Sequence, residues 1–138
     1  MDFPLPDPVY PPLREFWAGV ELHELRFPRC ASCQNFVWYP QPNCPNCGGG
    51  VFVWTRISGP ARIFSWTLVR RALHTPLKPI VPYVPVIVAF EDAPGVRLVS
   101  RWINTASQTP TIGQQVSIVF EDFGAPGLIT GKIAPFVR

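Results

Sequence analysis

Residues Cys30–Gly49 read C-A-S-C-Q-N-F-V-W-Y-P-Q-P-N-C-P-N-C-G-G, two C-x-x-C pairs separated by ten residues, and this stretch holds all 4 cysteines of the chain. Two residues between cysteines let one tight turn aim both thiolates at a single cation, so two such turns supply a tetrahedral site. Between them, Phe36, Val37, Trp38 and Tyr39 suit a strand leaving the first turn, and Pro40 and Pro42 suit a bend back to the second. Gly48 follows Cys47 where such a knuckle needs positive φ; Gln34 holds the matching place after Cys33 and fills it less easily. The pattern predicts a zinc ribbon ligated by Cys30, Cys33, Cys44 and Cys47. Four thiolates close the coordination shell, so the metal is expected to be structural and no catalytic residue is assigned to it.

Cysteines at this spacing also occur in disulfides, redox pairs and iron sites. Structural disulfides need an oxidising compartment, and no N-terminal stretch resembles a signal peptide. A thioredoxin-like pair belongs at a strand-to-helix junction, unlike two paired knuckles flanked by prolines. Iron of rubredoxin type uses the same four ligands in similar geometry, so spacing alone does not separate it from zinc.

Composition narrows the function classes. At 138 residues, with 47% hydrophobic, 13% aromatic and 15% charged residues, the chain is too apolar for disorder and suits a small metal module joined to one compact barrel. Its 18 prolines are scattered, which excludes long helices. The longest apolar run, Ile80–Phe90, is broken by Pro82 and Pro85 and cannot span a bilayer, so a cytoplasmic protein with no membrane partner is expected. A formal charge of +3 suits an anionic partner yet falls far below the charge density of a dedicated nucleic-acid binder.

Residues Met1–Pro12 carry five prolines and read as an extended arm. From Leu13 to Leu25, the three- and four-residue steps of Leu13, Phe16, Trp17, Val20 and Glu24 predict one amphipathic helix, opened by Pro11 and Pro12 and weakened in its middle by Gly19. A helix of about three turns does not stand alone. Leu13, Phe16, Trp17 and Val20 must therefore bury, and we expect another chain to cover them. His23 near the helix end reads as a surface or packing residue.

After Gly50 the pattern changes to short strands separated by turns. Arg62–Arg71 reads as a long strand with Phe64, Trp66 and Leu68 on one face; Val84, Val86, Val88 and Phe90 line the next, with Ile87 and Ala89 making its other face nearly as apolar. Glu91–Gly95 is a hairpin turn into Val96–Ile103, Ile112-Gly113 turns into Gln115–Phe120, and Leu128–Ile133 closes the set. Five or six short strands without helices argue for a small Greek-key barrel, the OB-fold first and an SH3-like barrel second. The domain expectation is 1–28 for arm and helix, 29–53 for the ribbon and 54–138 for the barrel. The long connection Ala72–Pro82 carries His74 and Lys78, with Arg70 and Arg71 just before it. This basic loop is the candidate contact for a phosphate or carboxylate, set against an ordinary solvated loop.

These segments add up to a family pattern. R-E-F-W-A-G, E-L-R-F-P-R-C-A-S-C, C-P-N-C-G-G, W-T-R-I-S-G-P-A-R-I-F-S-W-T, P-Y-V-P-V-I-V-A-F-E, G-V-R-L-V-S and I-G-Q-Q-V-S-I-V-F-E-D occur in this order. The arrangement resembles the bacterial and archaeal acyl-CoA-associated proteins that join a rubredoxin-like zinc ribbon to an OB-fold, over nearly the whole chain from Leu13. The resemblance implies a mainly β chain with an N-terminal helix, a structural Zn2+ and a C-terminal OB-fold barrel. It implies a non-catalytic subunit beside a thiolase-superfamily enzyme (a thiolase, acyltransferase or retro-aldolase, with steroid side-chain or other lipid degradation as the leaning). It also implies a CoA ester as ligand, for which Trp66 joins Arg70, Arg71, His74 and Lys78. Departures are Pro60-Ala61 where a second glycine is common, Arg101-Trp102 where a small polar residue is frequent, and Gln34 in place of a knuckle glycine. Two other classes stay in view. OB-folds with exposed aromatics bind single-stranded nucleic acid, which the weak charge disfavours. Catalysis by the chain itself would need a nucleophile and base that His23 and His74, far apart in sequence, do not supply.

Overall fold

The computed structural model describes residues 7–103, 108–122 and 133–138. Pro11 and Pro12 lack the N–H that a helix start leaves unpaired, and they open a 3-10 turn, Pro11–Leu13, that runs into helix α1, Arg14–Glu21. The helix stops short of the expected Leu25. The Glu24 N–H donates to the Gly19 carbonyl at 2.8 Å and the His23 N–H to that of Val20 at 3.0 Å, with His23 left-handed at φ 56°. This is a Schellman stop, at the position where glycine is usual. The His23 ring stacks on Phe120, centroids 5.3 Å apart and planes 5° off parallel, tying the end of the helix to the barrel. Gly19 is a close-approach site: a Cβ there would lie 2.8 Å from the Glu24 oxygen and 2.9 Å from Arg26 Cδ.

Strand β1, Leu25–Cys30, pairs antiparallel with β2, Phe52–Ile57, and Phe36 bridges to Arg29 on the other side. The expected division at 53/54 thus falls inside β2. The second sheet holds β3 (Ala61–Trp66), β4 (Val84–Phe90), β5 (Arg97–Trp102), β6 (Gln115–Val116), β7 (Ile118–Asp122) and β8 (Ile133–Val137), in the order β6-β3-β4-β5-β8-β7. All its pairs are antiparallel except β5 with β8. The end strands β6 and β7 are successive halves of one segment, broken at Ser117, whose N–H and carbonyl both bond Arg138. This is the Greek-key arrangement of an OB-fold. Of the strand expected at Leu128–Ile133, positions 128–132 lie outside the described residues; the observed strand is β8.

Two expectations are corrected by packing. The strand expected from Arg62 to Arg71 ends at Trp66, and its register with β4 shifts between Ile63 and Ser65. A bulge adds one residue and reverses the alternation beyond it. Phe64, following buried Ile63, faces outward and is 51% exposed, while the bulge turns Trp66 to the core side, where Leu68 also packs. In the helix, Phe16 and Val20 are buried within this chain, in one core with Leu25, Phe27 and Ile57 of the ribbon sheet and Val84, Val88 and Phe90 of the barrel. Their side chains are thus spent internally and offer nothing to another chain; Leu13 and Trp17 are half-buried at the edge of the same core. The reason is geometric: the Schellman stop folds β1 straight back under the helix.

Phe16 touches both Trp38 and Phe27, with ring centroids 5.0 Å and 6.3 Å away. Phe16→Ala is accordingly expected to destabilise the protein by about 3–5 kcal/mol in urea unfolding followed by tryptophan fluorescence, and Leu13→Ala by clearly less.

Candidate functional site

The four cysteines converge because two unrelated backbone segments fold the same way. Cys30 ends β1; its N–H donates to the Asn35 carbonyl at 2.8 Å and its carbonyl accepts from the Gln34 N–H at 2.9 Å. In the second knuckle the Cys44 N–H donates to the Gly49 carbonyl at 2.7 Å and the Cys44 carbonyl accepts from the Gly48 N–H at 2.8 Å. Both residues after the second cysteine are left-handed, Gln34 at φ 66° and Gly48 at φ 80°. For a non-glycine residue that conformation costs about 1–2 kcal/mol. Gln34 is held there by its side-chain amide, which donates to the Ala31 carbonyl at 3.0 Å, and by its own carbonyl, which accepts from Arg29 Nε at 2.8 Å.

The four sulfurs all lie within 4.8 Å of one another, with Cys30–Cys47 at 3.5 Å and Cys33–Cys44 at 3.6 Å. A tetrahedral zinc with bonds of about 2.3 Å needs sulfurs about 3.8 Å apart, so the donor set fits that ion. Gly49 keeps the approach narrow: a Cβ there would touch Cys30 and Cys47 Sγ, each at 3.4 Å. Cys30 and Cys44 are buried, Cys33 is half-buried and Cys47 is exposed. The electrostatics are those of a cation cradle. Backbone amides of Cys33 and Ser32 hold the Cys30 thiol below its ordinary value, and the Asn46 side chain with the Asn35 amide brings Cys33 down to about 6. At Cys47 the Gly49 amide also pulls down, but the surrounding sulfurs outweigh it and push the thiol up to about 11. Four thiolates this close require a cation between them. All four protein ligands would be spent on it, leaving no open position for substrate.

The other expected site residues are divided. Arg70, Arg71, His74 and Lys78 are all exposed on the connection between β3 and β4, which includes a 3-10 turn at Thr75–Ile80 and is pinned by the Val69–Tyr83 bridge. Trp66 does not join them; it packs against the barrel core. A separate cleft of about 470 Å³ lies where helix end, ribbon and barrel meet, lined by His23, Arg56, Ser58, Gly59, Ser117 and Phe120 among others. None of the basic-loop residues lines it. Residue-by-residue reading missed this cleft because its walls come from four separated segments, around His23, Ser58, Phe90 and Ser117.

Two family models match the chain: the ChsH2 rubredoxin-like zinc ribbon domain over residues 17–53, and the ChsH2 C-terminal OB-fold domain over residues 54–121. The chain belongs to the ChsH2 (DUF35) family. A solved structure described as an Ltp2-ChsH2(DUF35) aldolase contains a ChsH2-like fold that superposes with a TM-score of 0.77 at 22% identity, covering 99% of this chain and 98% of that one. A DUF35-family protein of unknown function from Sulfolobus solfataricus superposes with a TM-score of 0.60 at 14% identity, over 80% of this chain and 78% of its own. At these identities the overlays establish a shared fold. In sequence the chain is 29% identical over 104 residues to a probable enoyl-CoA hydratase alpha subunit of Thermomonospora curvata. That match takes in 73% of this chain and 31% of the relative, so the chain spans about a third of that protein's length. No helix among the described residues is long and apolar enough to cross a membrane.

Zinc binds thiolates, so loading a site with a thiol pushed up to about 11 releases protons at neutral pH. Zinc affinity is expected to rise with pH above neutrality and to fall as pH drops through about 6, where Cys33 also takes up its proton. Competition with a chromogenic chelator across that range measures both. Cys44→Ser is expected to lose the metal and the ribbon together, seen as released zinc and a lowered melting temperature.

Proposed function

We propose that this chain is a non-catalytic accessory subunit that binds a thiolase-superfamily enzyme and helps to hold that enzyme's CoA ester. The observation that carries the reading is the overlay of 99% of this chain on a structure described as an Ltp2-ChsH2(DUF35) aldolase. A family relative named as a hydratase subunit for enoyl-CoA supports a thioester substrate. The chain's own chemistry agrees. Its four cysteines are committed to one closed cation site, and the His23 ring is occupied by Phe120. Leu13 and Trp17, half-buried beside the core, are the helix residues left to meet the partner.

The basic loop is the proposed contact for the CoA phosphates. It joins the first two strands of the OB-fold, a connection that such folds use for ligands, and it places Arg70, Arg71, His74 and Lys78 on one exposed stretch. Hydrogen bonds from a guanidinium to phosphate are each worth about 1.5–3 kcal/mol. By family analogy we place the reaction in steroid side-chain or other lipid degradation, in the cytoplasm.

Affinity capture with the zinc-loaded chain from its native cytoplasm, followed by mass spectrometry and assay on acyl-CoA substrates, tests the reading. A thiolase-like enzyme whose turnover depends on this chain is the expected result. Recovery of RNA or DNA in its place would move the barrel to single-stranded nucleic acid. In the active complex, Arg70→Ala with Arg71→Ala is expected to weaken binding of the CoA ester about tenfold, or about 1.4 kcal/mol, with little change in kcat.

A further inference from the structure

The outer face of the β3-β4-β5 sheet is an apolar centre inside an arginine rim. Register places its side chains in rungs: Arg62, Ala89 and Arg97 form one, and Ser65, Ile87 and Val99 the next. Pro85 and Arg101 follow, toward the end of the ladder from which the basic loop departs. Phe64, outward-facing after buried Ile63, is the bulged residue between the first two rungs and so stands on this face with no residue of β4 directly opposite it. Phe64 and Val99 are 51% and 56% exposed, and Ile87 between them is half-buried. The Arg97 guanidinium lies over the Phe64 ring at 4.4 Å and also donates to the Val96 carbonyl at 3.0 Å. Arg62 bonds the Gly113 carbonyl at 3.2 Å and reaches Glu91 at 3.4 Å.

Exposed apolar residues flanked by ordered arginines are the composition of a protein interface centre, where arginine and aromatic residues carry most of the binding energy. A stacking platform for single-stranded nucleic acid would need successive aromatic rings. This face has one, and the rest of its centre is aliphatic. Charge sets the partner's chemistry: the rim and the adjoining loop are basic, with Glu91 at one corner. We infer that this face docks a protein surface with an apolar centre and a carboxylate rim, presented by the partner enzyme of the accessory-subunit reading, on which the inference rests. Three strands about 4.8 Å apart and rungs covering about 13 Å give a centre far smaller than the roughly 800 Å² per partner of a stable interface. The basic loop beside it, with Leu73 88% exposed, extends the contact.

The test uses the full zinc-loaded chain and the thiolase-superfamily enzyme captured with it, once purified. Affinity is measured by biosensor for wild type, Val99→Glu, Arg97→Glu and a control, Val53→Glu, placed on the ribbon where Val53 is 58% exposed. Zinc content and melting temperature report folding of each, and Phe64→Ala serves if a charged variant misfolds. The expected result is at least a tenfold loss for both face variants, none for the control, and wild-type binding that weakens as salt rises. Face variants that bind like wild type overturn the inference and leave the accessory reading standing. If wild type retains no thiolase-superfamily enzyme, that reading fails and the inference falls with it. If the face variants lose oligothymidylate binding but keep the enzyme, the face belongs to nucleic acid and the inference is overturned.

Discussion

Phe27 joins the three parts of this molecule. Fully buried on β1, it meets Trp38 of the ribbon loop at 5.0 Å, Phe16 of the helix at 6.3 Å and Phe90 of the barrel at 5.3 Å. Aromatic pairs at such distances add about 0.5–1.5 kcal/mol each beyond the area they bury. The cluster also bears a cost, because the indole N–H groups of Trp17 and Trp38 are buried with no acceptor among the described residues. Each such group costs about 1–3 kcal/mol, so ring packing has to outweigh it. Without this junction the helix is too short to persist, and the two sheets have little to hold them in register.

The metal site solves a different problem. The loop from Ala31 to Val51 sends Phe36 and Trp38 to the aromatic junction and beyond them buries only Val37, Cys44 and a few neighbours, too little apolar surface to order its tip. Four sulfurs around one cation supply the missing constraint, and the paired knuckle hydrogen bonds aim them. The metal orders the tip of the ribbon while the aromatic junction orders its base. Neither substitutes for the other.

The barrel leaves two surfaces of different character. The basic loop offers exposed charge on an irregular connection, suited to phosphate. The β3-β4-β5 face offers a rigid apolar centre with arginines held by Phe64, Gly113 and Glu91, suited to a protein. They adjoin at one end of the ladder, where β3 runs into the connection to β4.

The sequence by itself determined the local features: the cysteine ligands from their spacing, the turns at Glu91–Gly95 and Ile112-Gly113, and the inward face of Val84, Val86, Val88 and Phe90 from period-two alternation. These are short-range, and neighbours along the chain suffice to set them. Only the tertiary structure decided where the helix face goes, because periodicity reveals an apolar stripe and not its partner; β1 turned out to cover Phe16 and Val20. It also decided that Phe64 and Trp66, two residues apart, face opposite sides of β3. A one-residue bulge reverses alternation, and its cause lies in the pairing with β4. The cleft at His23, Arg56, Ser58 and Phe120 has the same origin. Its walls are contributed by segments far apart in the chain, and packing alone brings them together.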